Sequence, residues 1–304
     1  MSASVAGKGA VSSRGAGAAV QGPQRERFPT VRQFYWLLIA PALVLMIALY
    51  FYPLSKVLWI SVTEPSFGFE NYEKLITSES IHRTLIATLR IATITTSITL
   101  LLGYIIAYAM IQATHGWLRW IMFFVLLPLW ISVLVRAFAW VTLLRDNGVI
   151  NNVLMDMGLI AGPLPLLRNE LSVCIGMVHY MIPFAVMPLY SNMRTIDLRL
   201  MAAARALGAP PFTAFRRIFF PLSKPGLIAS GVLVFIFSLG FYVTPALLGG
   251  GRVFMVAEYI GIQITQTLRW GIGTMLGTVL LFAVLGMLAV LGRFVNMRKL
   301  FGAG

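Results

Sequence analysis

The run WGIGTMLGTVLLFAVLGMLAVLG, residues Trp270–Gly292, holds 23 positions without Asp, Glu, Lys or Arg. About 20 mainly apolar residues are enough for an α-helix to cross the ~30 Å hydrocarbon layer of a membrane. Similar runs recur along the chain. Together they predict an all-α, polytopic membrane protein with six transmembrane helices near residues 33–59, 85–113, 118–144, 171–193, 226–248 and 270–292.

The overall composition agrees with a membrane location. Of 304 residues, 59% are hydrophobic and only 11% are charged, whereas a soluble domain carries roughly 25% charged residues. A soluble fold of this size has too little interior to hide so much apolar surface. These proportions argue against a cytosolic enzyme, a secreted domain and a disordered chain.

The formal net charge of +14 would suggest nucleic acid as a partner in a soluble protein. Here the position of the charge matters more than its size. With both termini inside, the cytoplasmic segments hold fifteen basic and two acidic residues, and the outer segments hold six basic and eight acidic ones. Because positive charge accumulates on the cytoplasmic side, we predict cytoplasmic N- and C-termini and lipid, not nucleic acid, as the charged partner. We expect residues 1–30 to form a flexible cytoplasmic tail and residues 31–304 the membrane domain.

The sequence offers no cluster of catalytic or metal-binding residues. Cys174 is the single cysteine, and the three histidines lie far apart. His179 is expected to be a hydrogen-bonded polar group inside the helix bundle. The chain also lacks the Gly-rich phosphate loop of ATP-hydrolysing proteins, so we predict a protein without enzymatic activity that binds no metal or cofactor.

The most informative connection is the cytoplasmic loop at 194–224. Asp197 is placed to cap a helix running to Leu207, Gly208 to end it, and the two prolines at 210–211 to prevent its continuation. A second short helix is expected to start at Pro211 and to stop near Pro221. Within the first helix an apolar stripe follows helical spacing; it consists of Leu200, Ala203, Ala204 and Leu207.

Two interpretations of this loop follow from its physical chemistry. Its arginines can face anionic lipid headgroups in an interfacial amphipathic segment. Alternatively, the small residues of the stripe let the surface of a soluble partner approach the backbone closely.

The loop resembles the motif of bacterial ABC importer permeases, Glu-Ala-Ala, three residues, Gly, nine residues, Ile-x-Leu-Pro. The register here is Ala202-Ala203-Ala204, Gly208 and then Ile218-Phe219-Phe220-Pro221. The spacing matches throughout, while Ala202 replaces the Glu and Phe220 replaces the Leu. The resemblance assigns ATPase coupling to Asp197, Ala202, Ala203, Ala204, Arg205, Gly208, Ala209, Phe212 and Phe215.

The resemblance extends over roughly residues 33–300. Three further segments are similar to the corresponding segments of spermidine/putrescine-type permeases. These segments are Pro128–Asn151, Tyr180–Tyr190 and Phe241–Gly250. The resemblance implies a type I ABC importer permease in the bacterial inner membrane. It also implies a second, related but different permease, two cytoplasmic ATP-binding subunits that use ATP and Mg, and a periplasmic solute-binding protein.

The candidate substrate pathway consists of one intramembrane charge and the aromatic side chains near it. Arg136 must face protein or water, as a structural anchor or as a pathway-lining group, because a charge in the membrane is costly. Aromatic faces attract organic cations, although such residues also serve as interface anchors and span filler. The candidates are Trp130, Arg136, Trp140, Tyr180, Phe184, Tyr190, Phe241 and Tyr242.

The resemblance implies a small organic solute, most readily a polyamine. The predicted spans contain no Asp or Glu to attract a polycation, so an amino-acid or opine derivative stays an alternative. A self-sufficient secondary transporter is a further alternative, which the absence of intramembrane acids disfavours. Two small-residue pairs, Gly103/Ala107 and Gly273/Gly277, are expected to allow close helix approach.

Overall fold

A computed structural model of the protein describes residues 31–294. The predicted tail at 1–30 therefore lies outside the described residues. The described part is helical almost throughout and contains no β-strand. By its contacts the described part of the chain divides into two units, which meet in sequence between Pro53 and Leu54.

The first unit is described from α1 (Val31–Met46), which is followed by a π-helical turn at Ile47–Phe51. Its large apolar side chains are mostly exposed, as expected of a helix surrounded by lipid.

The remaining helices follow in chain order. They are α2 (Tyr52–Thr63), α3 (Glu70–Thr77), α4 (Glu79–Gln112), α5 (His115–Trp130), α6 (Val133–Leu144), α7 (Val149–Asp156), α8 (Glu170–Met193), α9 (Arg199–Ala206), α10 (Pro211–Ala214), α11 (Phe220–Leu239), α12 (Val256–Thr265) and α13 (Trp270–Phe294), with π-helical turns at Phe215–Phe219 and Pro245–Gly249.

Five helical segments are long and apolar enough to cross a membrane: Leu38–Thr63, Glu79–Gln112, Glu170–Met193, Pro211–Leu239 and Trp270–Arg293. The helices α5 and α6–α7 form a bent pair that would make a sixth crossing. Each of the six predicted spans thus has a counterpart, but two of them have a different shape from the one expected.

The third predicted span, 118–144, is not one straight helix. It is bent by 99° where Ile131 and Ser132 leave the helical conformation. Pro128 lies in the last turn of α5, where its ring and its missing N–H remove a helical hydrogen bond to the preceding turn and so weaken the end of this helix. Arg136 follows the break.

The fifth predicted span, 226–248, is wrong at both ends. The helix starts at Pro211 and ends at Leu239. Pro221 does not stop this helix. The turn at Phe215–Phe219 widens to π-type bonding, in which the Phe220 N–H donates to the Phe215 carbonyl. Pro221 therefore falls in the first turn of α11, where a proline is tolerated.

The centre of the second unit is formed by α4, α8 and α11. A Cβ atom at Gly103 of α4 would lie 3.0 Å from the Cβ atom of Ala185 of α8, which confirms the expected close approach. Ser230 of α11 donates to the Ala185 carbonyl at 3.0 Å. In α13, Gly273 packs closely on Ile264 of α12, whereas a Cβ at Gly277 would meet no described atom within 4 Å. The expected contact at Gly277 is therefore wrong.

Candidate functional site

The loop between α8 and α11 has the helix–turn–helix form that its sequence predicts. The Asp197 carboxylate accepts the Arg199 backbone N–H at 2.9 Å and so satisfies a free donor of the first turn of α9. Gly208 has φ +89°. The Gly208 and Ala209 N–H groups donate to the Arg205 and Ala204 carbonyls, both at 3.0 Å, which is the Schellman arrangement that ends a helix.

The tip of this loop exposes apolar side chains. Leu207 is 89% exposed and Phe212 is 71% exposed, and they flank the turn at Gly208. Of the predicted coupling residues, Ala202, Ala203 and Arg205 are exposed while Ala204 and Ala209 are half-buried. The predicted stripe on α9 thus lies on an accessible surface, with Leu200 also exposed.

Phe215, predicted as a coupling residue, has a different place. Its ring packs edge-on against Tyr104 and Tyr108 of α4, with centroids 6.2 and 5.4 Å away, and stacks on Phe219 at 5.7 Å. Tyr104 also shares a 2.7 Å hydrogen bond with Ser223. We name Tyr104, Tyr108, Phe215 and Phe219 the aromatic anchor, because they fasten the π-helical turn to α4.

The intramembrane charge sits at the break of the third span. Arg136 is 7% exposed, and its Nη2 donates to the Ile131 carbonyl at 3.1 Å. The guanidinium carbon lies 4.7 Å from the centre of the Tyr180 ring. The Nε and Nη1 atoms are buried and have no hydrogen-bond partner among the described residues.

Aromatic side chains from α6, α8 and the segment after α11 surround this charge. Tyr180 packs on Phe241 at 4.7 Å and stacks on Phe184 at 5.6 Å. Trp140 donates from Nε1 to His179 Nδ1 at 3.0 Å, which confirms His179 as a hydrogen-bonded group within the bundle. The structure therefore brings together Arg136, Trp140, Tyr180, Phe184 and Phe241, the group that we name the aromatic cluster.

Three pathway candidates lie outside the aromatic cluster. Trp130 is 83% exposed at the end of α5. Tyr190 is half-buried in a separate core group with Leu189 and Met193, about 15 Å along α8 from Tyr180 at 1.5 Å per residue. Tyr242 is half exposed and lies against Gly261 of α12.

Two features escaped the sequence reasoning. Tyr104 and Tyr108 lie four apart on α4, and this spacing alone signals a shared helix face. Glu258 is one of the acidic residues of the predicted outer segments, but it lies in the first turn of α12 and is 5% exposed. Its Oε2 atom has no hydrogen-bond partner among the described residues. Burial raises the pKa of its carboxyl to about 7, although the Met255 backbone N–H favours the charged form.

Comparison with known proteins places the chain among transport proteins. Residues 99–299 match the family described as binding-protein-dependent transport system inner membrane component. The spermidine/putrescine transport system permease protein PotB of Haemophilus influenzae is 36% identical over 194 residues, 63% of this chain and 68% of that protein. PotB of Escherichia coli is 32% identical over 207 residues, 68% of this chain and 75% of that protein.

A solved structure of a bacterial alginate ABC transporter in complex with an alginate pentasaccharide-bound periplasmic protein has a similar fold. The TM-score is 0.71 at 20% sequence identity, over 86% of this chain and 94% of that one. At this identity the likeness concerns the fold alone.

Proposed function

Because the chain belongs to the family of binding-protein-dependent transport system inner membrane components, we propose that it forms half of the translocation pore of an ATP-driven polyamine importer. The observation that carries this proposal is the loop around Gly208, which exposes an apolar tip and is fastened to α4 by the aromatic anchor. Such a loop suits the groove of a soluble ATPase better than a lipid surface, since its most exposed apolar residues flank a rigid turn.

The partners of this chain are a second permease, related but different, two cytoplasmic ATP-binding subunits and a periplasmic solute-binding protein. ATP and Mg are used in the ATP-binding subunits, and this chain performs no catalysis. The family description supports the binding protein and the membrane location. The excess of basic residues in the loop and near the predicted cytoplasmic ends supports cytoplasmic termini.

Force enters the chain at Leu207 and Phe212 and passes through the aromatic anchor. Phe215 and Phe219 lie in the π-helical turn that leads into α11, and they contact tyrosines of α4. A movement of the loop therefore displaces α4 and α11 together. Rigid-body rocking of such helix groups opens a central cavity alternately to each side.

The names of the PotB relatives support a polyamine as the solute. The aromatic cluster agrees with this choice, because each aromatic face attracts an organic cation by about 0.5–2 kcal/mol. A second candidate is an amine-containing anion, since a putative 2-aminoethylphosphonate permease of Salmonella typhi is 27% identical over 210 residues.

The test is uptake by the complete complex. The chain is co-expressed with its second permease, ATPase and binding protein, reconstituted in proteoliposomes, and supplied with ATP inside and labelled solute outside. We expect ATP-dependent uptake of spermidine or putrescine, abolished without the binding protein. Uptake of 2-aminoethylphosphonate or an amino-acid derivative, with no polyamine uptake, would overturn the choice of solute.

A further inference from the structure

The break in the third span leaves backbone N–H and C=O groups without the hydrogen bonds that an uninterrupted membrane helix would give them. α5 has 16 residues and therefore extends about 24 Å at 1.5 Å per residue, short of the ~30 Å hydrocarbon layer. Ile131 and Ser132, where the helix is interrupted, are both exposed in the chain. Non-helical backbone at membrane depth is tolerated only where it is buried in protein or lines water, so a break at that depth has to face water or another subunit.

The end of α5 at the break attracts positive charge. The C-terminus of a helix carries the negative end of its dipole and free carbonyl groups. In broken membrane helices, such ends are the places where cations bind. In this structure the cation at that place is the Arg136 guanidinium, which donates to the Ile131 carbonyl at 3.1 Å and lies 4.7 Å above the Tyr180 ring.

These two partners are the ones that an alkylammonium group would use. An ammonium donates hydrogen bonds to carbonyl oxygens and is attracted by an aromatic face. The guanidinium fills a narrow space that is lined also by Trp140, Gly176 and Thr244 and that leaves no room for a water molecule. A second cation cannot lie beside Arg136 and must take its place.

Arg136 is also incompletely held. A guanidinium has five N–H donors, yet Nε and Nη1 are buried without a partner among the described residues. Buried donors without partners carry a desolvation penalty. A small movement of this side chain out of the narrow space relieves that penalty and vacates the site.

Resting on the proposed function, we propose that the Ile131 carbonyl and the Tyr180 ring form a cation-binding site that Arg136 occupies in this conformation and that an ammonium group of the transported polyamine occupies when Arg136 leaves. The predicted spans contain no carboxylate that could attract a cation, and this site supplies the attraction instead.

The first experiment measures polyamine uptake by Arg136→Gln in the reconstituted complex. A competing internal cation reduces the apparent affinity by the fraction of time for which it holds the site. If Arg136 leaves the site free for about one tenth of the time, its removal lowers KM for spermidine about tenfold. An unchanged or increased KM at normal complex yield overturns the proposal.

The aromatic half of the site is tested by Tyr180→Leu. Loss of a cation–π attraction of about 0.5–2 kcal/mol corresponds to an increase in KM of about 2- to 30-fold, in the wild-type and in the Arg136→Gln background alike. Tyr190→Leu is the matched control, since it makes the same change on α8 but in the separate core group outside the aromatic cluster, and its KM should stay near the wild-type value. A KM for Tyr180→Leu no higher than that of this control overturns the proposal.

A second measurement is independent of the transported solute. In Arg136→Ala, or in Arg136→Gln if the alanine variant does not assemble, added methylguanidinium or butylammonium should raise the Tm of the purified complex in a saturable way, because a ligand that binds the folded state stabilises it. Methylurea, which is neutral, should not, and Tyr180→Leu should abolish the effect. Equal stabilisation by methylurea, or none by the cations, overturns the cation site; absence of polyamine uptake by the wild type overturns only the proposed function.

Discussion

Replacement of Gly208 by alanine tests whether the turn between α9 and α10 is what the ATPase recognises. Gly208 has φ +89°, a conformation in which a Cβ atom costs roughly 1–2 kcal/mol. A Cβ at this position meets no atom within 4 Å, so the change adds backbone strain without a clash. This strain favours other conformations of the loop over the turn, and it therefore opposes docking if the ATPase recognises the turn.

The expected result of Gly208→Ala is binding of the ATP-binding subunit weakened by up to about 5- to 30-fold, which is the factor that corresponds to 1–2 kcal/mol. The measurement is the concentration of ATP-binding subunit that gives half-maximal solute-stimulated ATPase activity in proteoliposomes. Gly208→Asn should lie between wild type and alanine, because Asn tolerates the left-handed region better than other residues with side chains.

The matched control is Gly116→Ala. Gly116 is also exposed and also leaves an added Cβ without neighbours within 4 Å, but it lies in the first turn of α5, where alanine is favoured over glycine. Its half-maximal concentration should equal that of wild type. If Gly208→Ala has the same half-maximal concentration as Gly116→Ala, the ATP-binding subunit does not recognise the turn at Gly208.

Three further variants probe other parts of the chain. Ala203→Glu should reduce co-purification of the ATPase at least fivefold, since it puts a charge on the exposed stripe of α9, while Ala202→Glu on the opposite face should not; equal losses would contradict the stripe. Gly103→Val should destabilise the complex by about 1–3 kcal/mol, seen as a lower Tm, because a Cβ there already lies 3.0 Å from Ala185; Gly277→Ala, with open space around it, should leave the Tm unchanged. Glu258→Gln should raise the Tm at pH 8 but not at pH 5. The folded-state pKa of about 7 lies above the ordinary 4.5, so the wild type loses stability as pH rises between these values. A Tm difference that is independent of pH would contradict the burial of this carboxyl.

Sequence reasoning located the spans and the loop because both depend on local pattern. Runs free of charge identify membrane helices wherever they occur, and the capping residues Asp197 and Gly208 act within a few residues of their own position. The positions of these elements could therefore be predicted without tertiary information.

The breaks could not be predicted in the same way. Pro128 and Pro221 are both prolines in apolar runs, yet α5 is interrupted three residues after Pro128, whereas the helix passes through Pro221. The difference lies in the hydrogen bonding around each proline: a π-helical turn precedes Pro221, and Arg136 takes up the Ile131 carbonyl after the first break. Such compensation depends on neighbouring turns and side chains, which hydropathy does not register.

The composition of the aromatic cluster was only partly predictable for a similar reason. Residue type singled out eight pathway candidates, but contact across helices selects five of them. Tyr190 and Tyr180 share α8 and differ in their neighbours along its length. Glu258 is not recognisable as a buried residue in the sequence, because its short helix α12 follows a charged, Gly-rich segment of the kind that forms an outer loop.

Photo-crosslinking from Leu207 tests directly whether a separate ATPase drives this chain through the tip of its loop. The single cysteine of the chain, Cys174, is buried, so Leu207→Cys gives this chain one accessible thiol for a benzophenone label. Leu159→Cys, also exposed but in the predicted outer loop, is the matched control. We expect a crosslink to the ATP-binding subunit from position 207, altered in yield by ATP, and none from position 159. A crosslink from 159, or labelling of 207 with no ATP-binding subunit attached, would show that this tip is not where the ATPase acts.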